Sequence, residues 1–310
     1  MAKLSRKKTL LIKKETSYGS TSSPTGSANA VLVRDLTVEP VVSDEVNREL
    51  IRGYLGNQEV LLANTRVNVS FDVEMAGSGT AGTAPKYSDA LLACGLALTT
   101  VSSTSNTYAP VSSSFDSVTI KYNTDGVNHT ILGARGTFSI NCEVNQIPVI
   151  SFQFTGLYST PTDTALPSTT YSNQADPVIF KNGNTSSFQL FGYAGALQSW
   201  SFDMNNELVY RELVGGTKET LITGRSPSGT AVVEAVALSA HNFFNDATGS
   251  ATGNNTWSHS GGAGNIVTVS CPQTDLSAPT YEDSDGIVML NLPFMATPSA
   301  ANNEFSLVFT

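Results

Sequence analysis

The amino-acid sequence predicts an all-β-dominated fold of two tandem modules, each with one short α-helix. The first observation is a strict alternation in which Val67, Val69, Phe71, Val73 and Met75 are separated by polar residues. A period of two is typical of a strand with one buried face. The second observation is composition. With 40% hydrophobic and 14% charged residues the chain is globular, and its many Ser, Thr, Gly and Asn residues favour strands and turns over long helices.

The third observation is an approximate internal repeat. Residues 47–50 (Asn-Arg-Glu-Leu) precede the alternating strand, and residues 210–213 (Tyr-Arg-Glu-Leu) precede a similar segment later in the chain. We interpret the repeat as an internal duplication, with chance similarity of β-rich segments as the alternative. The divisions that follow are a basic N-terminal arm and linker (1–28), a first module (29–157), a Pro/Thr/Ser-rich connector (158–176) and a second module (177–310).

The first module is predicted from its alternating strands, one helix and one clear turn. The N-terminal segment 1–28 before it has no apolar periodicity, so we expect it to be mobile or extended. Asp125-Gly126 between two apolar runs indicates a hairpin. The elements expected in order are a strand at 30–42, a polar connection at 43–64, a strand at 65–75, a helix at 86–97, a Ser-rich loop at 101–114 and antiparallel strands over 115–157.

The second module is expected to follow the same order with shorter elements. Its polar connection is the loop that contains Arg-Glu-Leu-Val-Gly-Gly at 211–216. The other elements expected are strands at 196–205 and 230–238, a short helix at 240–247, a Gly/Asn/Ser-rich loop to about residue 264, and strands at 265–271, 286–296 and 305–309.

Charge is distributed unevenly along the chain. The net charge is −9, yet the basic residues Lys3, Arg6, Lys7, Lys8, Lys13 and Lys14 all precede the first acidic residue, Glu15. An acidic body argues against tight binding of phosphate backbones and is compatible with nucleic acid that passes by without being held.

Cysteine usage and hydropathy indicate the cellular compartment in which we expect the protein. Cys94, Cys142 and Cys271 are far apart and lack metal-ligand spacing, so we expect buried free thiols in a reducing compartment. The apolar run 9–12 is too short for a signal peptide, and no stretch approaches the roughly 18 apolar residues of a membrane helix. We expect a protein that is soluble where it is made and has no membrane partner.

The sequence carries no convincing catalytic or ligand motif. Residues 77–82 satisfy GxGxxG, but the preceding strand has a polar face and the required acid is missing, so a flexible linker is favoured. His129, His241 and His259 lack metal-ligand spacing and are interpreted as surface residues. We therefore expect no catalytic residue, cofactor or metal, and no enzymatic activity.

Four segments together resemble a known structural family. They are the basic start AKLSRKKTLLIKKETSYGS, the connection RELIRGYLGNQEVLLANTRV, the segment DALLACGL and the strand ISFQFTGLYSTP. In this arrangement the chain resembles the major tail tube proteins of long-tailed (siphovirus-like) bacteriophages, over most of the first module and more loosely over the second. The resemblance implies that the two tandem modules are tail-tube-like β-sandwiches or barrels, each with one short flanking α-helix. It also implies a place in the virion tail and synthesis in the host cytoplasm.

The resemblance also implies which residues assemble the tube. In that family six modules form a ring around a channel, and stacked rings form the tail through which DNA passes. The residues expected to face the lumen are Asn68, Ser70, Asp72, Glu74 and Glu234. The residues expected in loops that join rings are Arg48, Glu49, Arg52, Tyr54, Gln58, Arg211 and Glu212. Carboxylates on a polar strand face would repel the phosphates of DNA, which fits a conduit that does not bind its cargo.

Two modules per chain favour a trimeric, pseudo-hexameric ring, with a hexamer as the alternative. The expected partners are the chain itself, other tail proteins, and double-stranded DNA in transit without specific binding. A β-sandwich adhesin or carbohydrate-binding module is the competing class, suggested by Trp200 and Trp257. Another virion structural protein is a nearer alternative.

Overall fold

The structure, a computed structural model, describes residues 2–249 and 251–310 and is dominated by antiparallel strands. Within these residues there are nineteen strands and three short helices, which confirms the predicted all-β class. The sheets of the described chain do not close into a barrel, so the sandwich alternative of the prediction is the one that fits.

The first half of the chain contains nine strands and two helices. Their bounds are β1 (Lys8–Lys14), α1 (Gly26–Asn29), β2 (Arg34–Asn47), β3 (Val60–Glu74), α2 (Ser88–Ala93), β4 (Leu96–Val101), β5 (Ser105–Pro110), β6 (Val118–Thr124), β7 (Val127–Glu143), β8 (Val149–Leu157) and β9 (Thr162–Asp163).

The second half contains ten strands and one helix. Their bounds are β10 (Thr185–Leu190), β11 (Leu197–Asp203), β12 (Asn206–Arg211), β13 (Glu219–Arg225), β14 (Ser228–Glu234), α3 (Phe243–Thr248), β15 (Thr252–Ser260), β16 (Ile266–Leu276), β17 (Thr280–Ser284), β18 (Ile287–Ala296) and β19 (Ser306–Phe309).

Eight of these strands form one antiparallel layer, which we call the central sheet. Their order is β2-β3-β8-β7-β11-β14-β18-β17, and the pairing of β7 with β11 joins the two halves of the chain. Smaller sheets cover one face of it: β1-β6-β7 in the first half, and β10-β15-β16 in the second. Buried side chains from these layers and from α2 form one hydrophobic core.

The two halves of the central sheet repeat the same pairing. In the first half Val69 lies opposite Phe154, and in the second half Gly229 lies opposite Phe294. The match continues residue by residue in both directions. The pairs Phe71–Phe152, Val73–Ile150 and Asn68–Thr155 correspond to Ala231–Leu292, Val233–Leu290 and Ser228–Met295.

The N-terminal segment differs from the predicted mobile arm. Leu10, Leu11 and Ile12 are buried, and β1 pairs with β6 along its whole length. Consecutive strand residues point to opposite faces, so the burial of residues 9–12 means that neighbouring elements cover both faces of β1, while Lys8 and Lys14 remain exposed.

The helix predicted over 86–97 is shorter, because it ends at Ala93 and residues 96–101 form β4. Gly95 adopts a positive φ of 80°, a conformation that ends a helix readily and that side chains with a Cβ disfavour. The hairpin turn at Asp125-Gly126 is confirmed, with both residues at positive φ between β6 and β7.

The Gly/Asn/Ser-rich loop predicted up to residue 264 is wrong, because residues 252–260 form β15. This strand contains Trp257, which is fully buried, and His259, which is 2% exposed. The prediction that His259 lies at the surface is therefore also wrong. The many small polar residues of β15 face the partly exposed side of the strand, which hid its period of two from composition.

Candidate functional site

The central sheet presents one continuous polar face, which begins on β3. Val67, Val69, Phe71 and Val73 are buried, whereas the intervening side chains are partly exposed, as the sequence predicts. These intervening residues are Asn68, Ser70, Asp72 and Glu74. Alternation thus places the four predicted side chains together on the side of the sheet away from the core.

The polar face extends across the join between the two halves. Residues that lie opposite one another on paired strands share a face. Ser70 lies opposite Gln153, and Asn141 lies opposite Ser201, which in turn lies opposite Thr230. The exposed Glu234 lies at the end of β14 and corresponds in pairing to Glu74 on β3.

Carboxylates are spread over this face, and two arginines lie at its ends. The acidic residues on its strands include Glu39, Asp72, Glu74, Glu143, Asp203 and Glu234. Arg34 begins β2, with its guanidinium 3.9 Å from Glu74, and Arg66 lies opposite the last residue of β8. These carboxylates outnumber the two arginines, and most of them lie at strand ends, so the face as a whole is acidic and repels polyanions.

Hydrogen bonds fix the polar side chains of the first half. The Asn68 amide donates to the Glu39 carboxylate at 2.9 Å, and the Thr155 hydroxyl donates to the Asn68 amide oxygen at 3.1 Å. This ladder crosses β2, β3 and β8 and holds three neighbouring strands in register.

The connection between β2 and β3 is a long hairpin, which we call the arm (residues 42–64). The loop is shorter than the predicted span 43–64, because β2 continues to Asn47 and β3 begins at Val60. The predicted residues Arg48, Glu49, Arg52, Tyr54 and Gln58 all fall in the turn region 48–59, which we call the arm tip.

The arm tip is ordered by polar contacts although its apolar side chains lie in water. Both Arg48 and Arg52 approach the Glu59 carboxylate, at 3.2 and 3.8 Å. The Gln58 side chain accepts a hydrogen bond from the backbone N–H of Leu50 at 2.6 Å and donates to the Leu50 carbonyl. The side chains left exposed are Leu50, Ile51, Tyr54 and Leu55, with Ile51 and Leu55 fully exposed. Exposed apolar clusters of this kind are typical of interaction surfaces.

The loop predicted at 211–216 lies at the tip of the corresponding connection of the second half, where residues 212–218 form no strand. The strands on either side of this loop were not predicted. Strands β12 and β13 form a separate two-stranded sheet, which we call the docked hairpin. Arg211 ends β12, and Glu212 lies in the turn, where its carboxylate is 2.7 Å from Lys218. The hydrogen bond that the Lys218 ammonium donates to the Glu212 carboxylate raises the pKa of Lys218. Val214 at the turn is fully exposed.

The docked hairpin packs across the first half of the chain. The Asn206 amide donates to the carbonyls of Cys94 and Gly136, at 2.7 and 3.0 Å. The Tyr210 hydroxyl donates to the Thr65 carbonyl at 3.1 Å, at the base of the arm. Residue type gave no signal for this docking, because it depends on side chains far apart in sequence.

Two strands, β2 and β17, form the edges of the central sheet. Among the described residues β2 pairs with β3 alone and β17 pairs with β18 alone. Side chains at these edges are uncovered: Tyr281 on β17 is 64% exposed. Free edges of this kind are templates for pairing with another chain.

The remaining chemical candidates are occupied by structural contacts. His259 lies 3.0 Å from the Thr185 hydroxyl and 3.1 Å from the Val178 carbonyl, and burial lowers its pKa. His241 contacts the Asp246 carboxylate at 2.7 Å. Trp200 and Trp257 are buried against each other, so neither offers the exposed platform that a carbohydrate-binding module uses.

The glycine-rich segment 77–82 packs against the second half rather than forming a phosphate cradle. The Gly77 N–H donates to the Asn265 side chain at 2.6 Å, and the Gly79 N–H donates to the Gly264 carbonyl at 3.0 Å. Cys94, Cys142 and Cys271 are buried and free, as predicted, and burial raises the pKa of each thiol.

Two further searches concern metals and membranes. In the part of the chain that the structure describes, no three His, Cys, Asp or Glu side chains group closely enough to hold a metal ion. Over residues 2–249 and 251–310, no helix has the length and apolar character needed to cross a bilayer.

Comparison with known proteins places the chain in a family. The family described as phage tail tube protein matches residues 5–296, which is nearly the whole chain. No curated protein sequence matches it. The chain therefore belongs to the phage tail tube protein family, and it is a structural protein of the virion tail.

Proposed function

We propose that copies of this chain close laterally into a ring through the two free edges of the central sheet, and that stacked rings form a tube around a channel for DNA. The observation that carries the proposal is the repeated strand order. The first half contributes β2-β3-β8-β7 and the second half β11-β14-β18-β17, which are corresponding strands in the same spatial order. We interpret these as two tandem modules within 29–157 and 177–310.

The pairing of β7 with β11 inside the chain is a template for the pairing between chains, and we call each of these strand contacts a seam. Within the chain β7 pairs with β11, so that Ile140 lies opposite Phe202 and both are buried. The corresponding strands are the free edges β17 and β2. In the proposed ring β17 of one subunit pairs antiparallel with β2 of the next.

The same correspondence gives the register of the new seam. It places Tyr281 of one subunit opposite Val38 of the next, and Glu282 opposite Thr37, as Asn141 lies opposite Ser201 within the chain. The exposure of Tyr281 in a single chain is then explained, since its partner strand belongs to another copy.

Ring size follows from the number of modules. If six modules surround the channel, three chains close the ring with pseudo-sixfold symmetry. A hexamer of chains is the alternative, and it requires the second half to lie outside the channel wall. The continuous polar face across β7 and β11 supports the trimer, because it puts both halves in one wall.

The polar face is proposed to line the channel. Asn68, Ser70, Asp72, Glu74 and Glu234 would then face passing DNA, and their carboxylates would repel its phosphates. A Debye length of about 8 Å at physiological salt keeps this repulsion close to the wall. Double-stranded DNA would pass without specific binding.

Stacking is proposed to use the exposed hairpin turns at one end of the sheet. The arm tip carries Arg48, Glu49, Arg52, Tyr54 and Gln58, and the docked hairpin adds Arg211 and Glu212. The arm lies between β2 and β3 and the docked hairpin between β11 and β14, so both connections join the ends of β3 and β14 that lie away from Glu74 and Glu234. A contact between opposite ends of identical rings repeats without closing, so it generates a filament. Other tail proteins would meet the terminal rings.

A disulfide across the proposed seam tests ring closure. The variant Thr37→Cys/Glu282→Cys places two thiols directly opposite in the predicted register, within disulfide reach. Oxidation of assembled protein should produce a covalent closed trimer on a non-reducing gel, and negative-stain images should contain rings of constant diameter.

The control Thr37→Cys/Ser284→Cys shifts one thiol by two residues on the same face, where the separation of about 7–8 Å is too long for a disulfide. Equal cross-linking of both variants would contradict the register. A covalent hexamer would contradict the trimer, and soluble monomers at all concentrations would contradict the tube.

A further inference from the structure

One groove on the polar face of the first half is walled by the docked hairpin. It has a volume of about 310 Å³. Its floor is formed by residues of β2, β3 and β8, including Asn68 and Thr155, and Leu208 of β12 forms a side wall. A segment of the second half thus completes a surface of the first half.

An equivalent groove exists on the second half. Its lining residues Ser201, Asp203, Ser228, Gly229, Thr230, Pro293, Phe294 and Met295 correspond through strand pairing to Thr37, Glu39, Asn68, Val69, Ser70, Gln153, Phe154 and Thr155 of the first groove. This groove is larger, about 560 Å³, and no residue of β12 or β13 lines it. Its wall at the position of Leu208 is open, and Met295 beside it is 45% exposed.

The arm is the segment that corresponds to the docked hairpin. Arg48-Glu49-Leu50 aligns with Arg211-Glu212-Leu213, which puts Glu45 at the position of Leu208. The cross-strand pairs agree, because Glu45 lies opposite Leu62 and Leu208 lies opposite Ile222. Ile222 is buried, whereas Leu62 is 56% exposed and is not covered by its own chain.

We propose that the base of the arm, residues 43–47 and 60–62, seats on the neighbouring subunit of the same ring and walls the groove beside that subunit's Met295. This inference rests on the proposed ring, in which the second half of one chain lies beside the first half of the next. The occupant is therefore a second copy of this chain. The arm base provides a lateral contact within a ring, whereas the arm tip beyond it stays free for the next ring.

Burial supports the arm as the occupant. The face of the arm that carries Glu45 also carries Leu62 and Val60, which are 56% and 41% exposed in a single chain. The groove offers the exposed Met295 and the half-buried Pro293 as apolar contacts. Seating would remove these side chains from water on both partners, at about 25 cal/mol per Å² of apolar surface buried.

Site-directed cross-linking tests the seat. The variant Glu45→Cys/Met295→Cys in assembled full-length protein, treated with a short bis-maleimide, should yield covalent dimers and trimers. The matched control Val46→Cys/Met295→Cys carries its thiol on the opposite face of the same strand and should cross-link far less. Disassembled subunits of the first variant should give only monomers.

A second measurement covers variants that assemble poorly. Met295→Cys alone should react with a monomaleimide in the free subunit and be protected after assembly. If the arm variant fails to cross-link and Met295→Cys stays reactive in rings that are closed by the Thr37→Cys/Glu282→Cys disulfide, the seat is wrong while the ring stands. If that disulfide also fails to form, the proposed function is wrong.

Discussion

The Glu15 carboxylate accepts a hydrogen bond from the backbone N–H of Gly133 at 2.9 Å, and this contact anchors the N-terminal strand to the core. The same buried carboxylate also accepts hydrogen bonds from the hydroxyls of Ser117 and Thr119 and from the Gly19 N–H. Four donors around one carboxylate explain why it tolerates burial.

Replacing Glu15 should therefore destabilise the subunit strongly. Glu15→Ala leaves several buried donors without an acceptor, and we expect a loss of about 3 kcal/mol in the free energy of unfolding. Urea denaturation followed by tryptophan fluorescence measures it. Lys8→Ala, at an exposed position of β1, the strand that ends just before Glu15, should change stability by less than about 0.5 kcal/mol. Similar values for the two variants would remove Glu15 from its anchoring role.

His259 should make the isolated subunit less stable in mild acid. Burial lowers its folded-state pKa below that of the unfolded chain, so the neutral ring contributes stability above the unfolded pKa of about 6.5. That stability is lost as the pH falls toward the folded pKa, because the unfolded chain takes up the proton first. Unfolding at pH 7.5 and 5.5 should reveal a larger loss in the natural protein than in His259→Gln, and equal losses would contradict the assignment.

Removing the arm tip should separate folding from assembly. Replacing residues 52–58 by a Gly/Ser linker of equal length deletes exposed side chains that contact little of the subunit, so the thermal midpoint should stay close to that of the natural protein. Electron microscopy should find no long tubes. Tubes of normal length from this variant would exclude the tip from stacking.

Thiols on the polar face should be reachable only through the channel. In assembled tubes, Ser70→Cys and Asp72→Cys should react with a small maleimide but not with one coupled to a large polymer. Lys8→Cys, on the covering sheet, should react with both. Reaction of the two polar-face thiols with the polymer reagent, or with neither reagent, would contradict a lumenal position.

Reversing charge on the polar face should convert a surface that repels DNA into one that binds it. Asp72→Lys/Glu234→Lys tubes should retain double-stranded DNA at low salt and release it as salt rises, because the contacts are with phosphates. Asp163→Lys, on the exposed strand β9, makes the same type of charge change elsewhere and should not retain DNA inside the tube. Equal retention by the unaltered protein would contradict electrostatic exclusion.

The sequence predicted the parts of this fold that depend on local periodicity. The polar and buried faces of β3 follow from the alternation of 67–75. The repeated Arg-Glu-Leu sequence marks the arm and the docked hairpin, which occupy corresponding places between strands. Strand β1 was missed because its core-facing residues are few and flanked by lysines. Strand β15 was missed because small polar residues mask its buried Trp257.

The surfaces proposed for assembly could be predicted only in part. The resemblance assigned Arg48 and Tyr54 to a loop that joins rings, but the free edge β17 and the docking of β12–β13 depend on which strands meet in space. No short-range pattern encodes that information. A strand that is an edge in one chain and an interior strand in an assembly has the same alternation in either case.

The pairing of β7 with β11 also has a kinetic consequence. Because one covalent chain carries both strands, this seam forms during folding at a high effective concentration that does not depend on how much protein is present. Only the seam between β17 and β2 requires an encounter between subunits. In the proposed trimer, every second seam is therefore complete before assembly begins. The onset of tube growth depends on the remaining seams, and so on protein concentration and on the contact that first covers Tyr281.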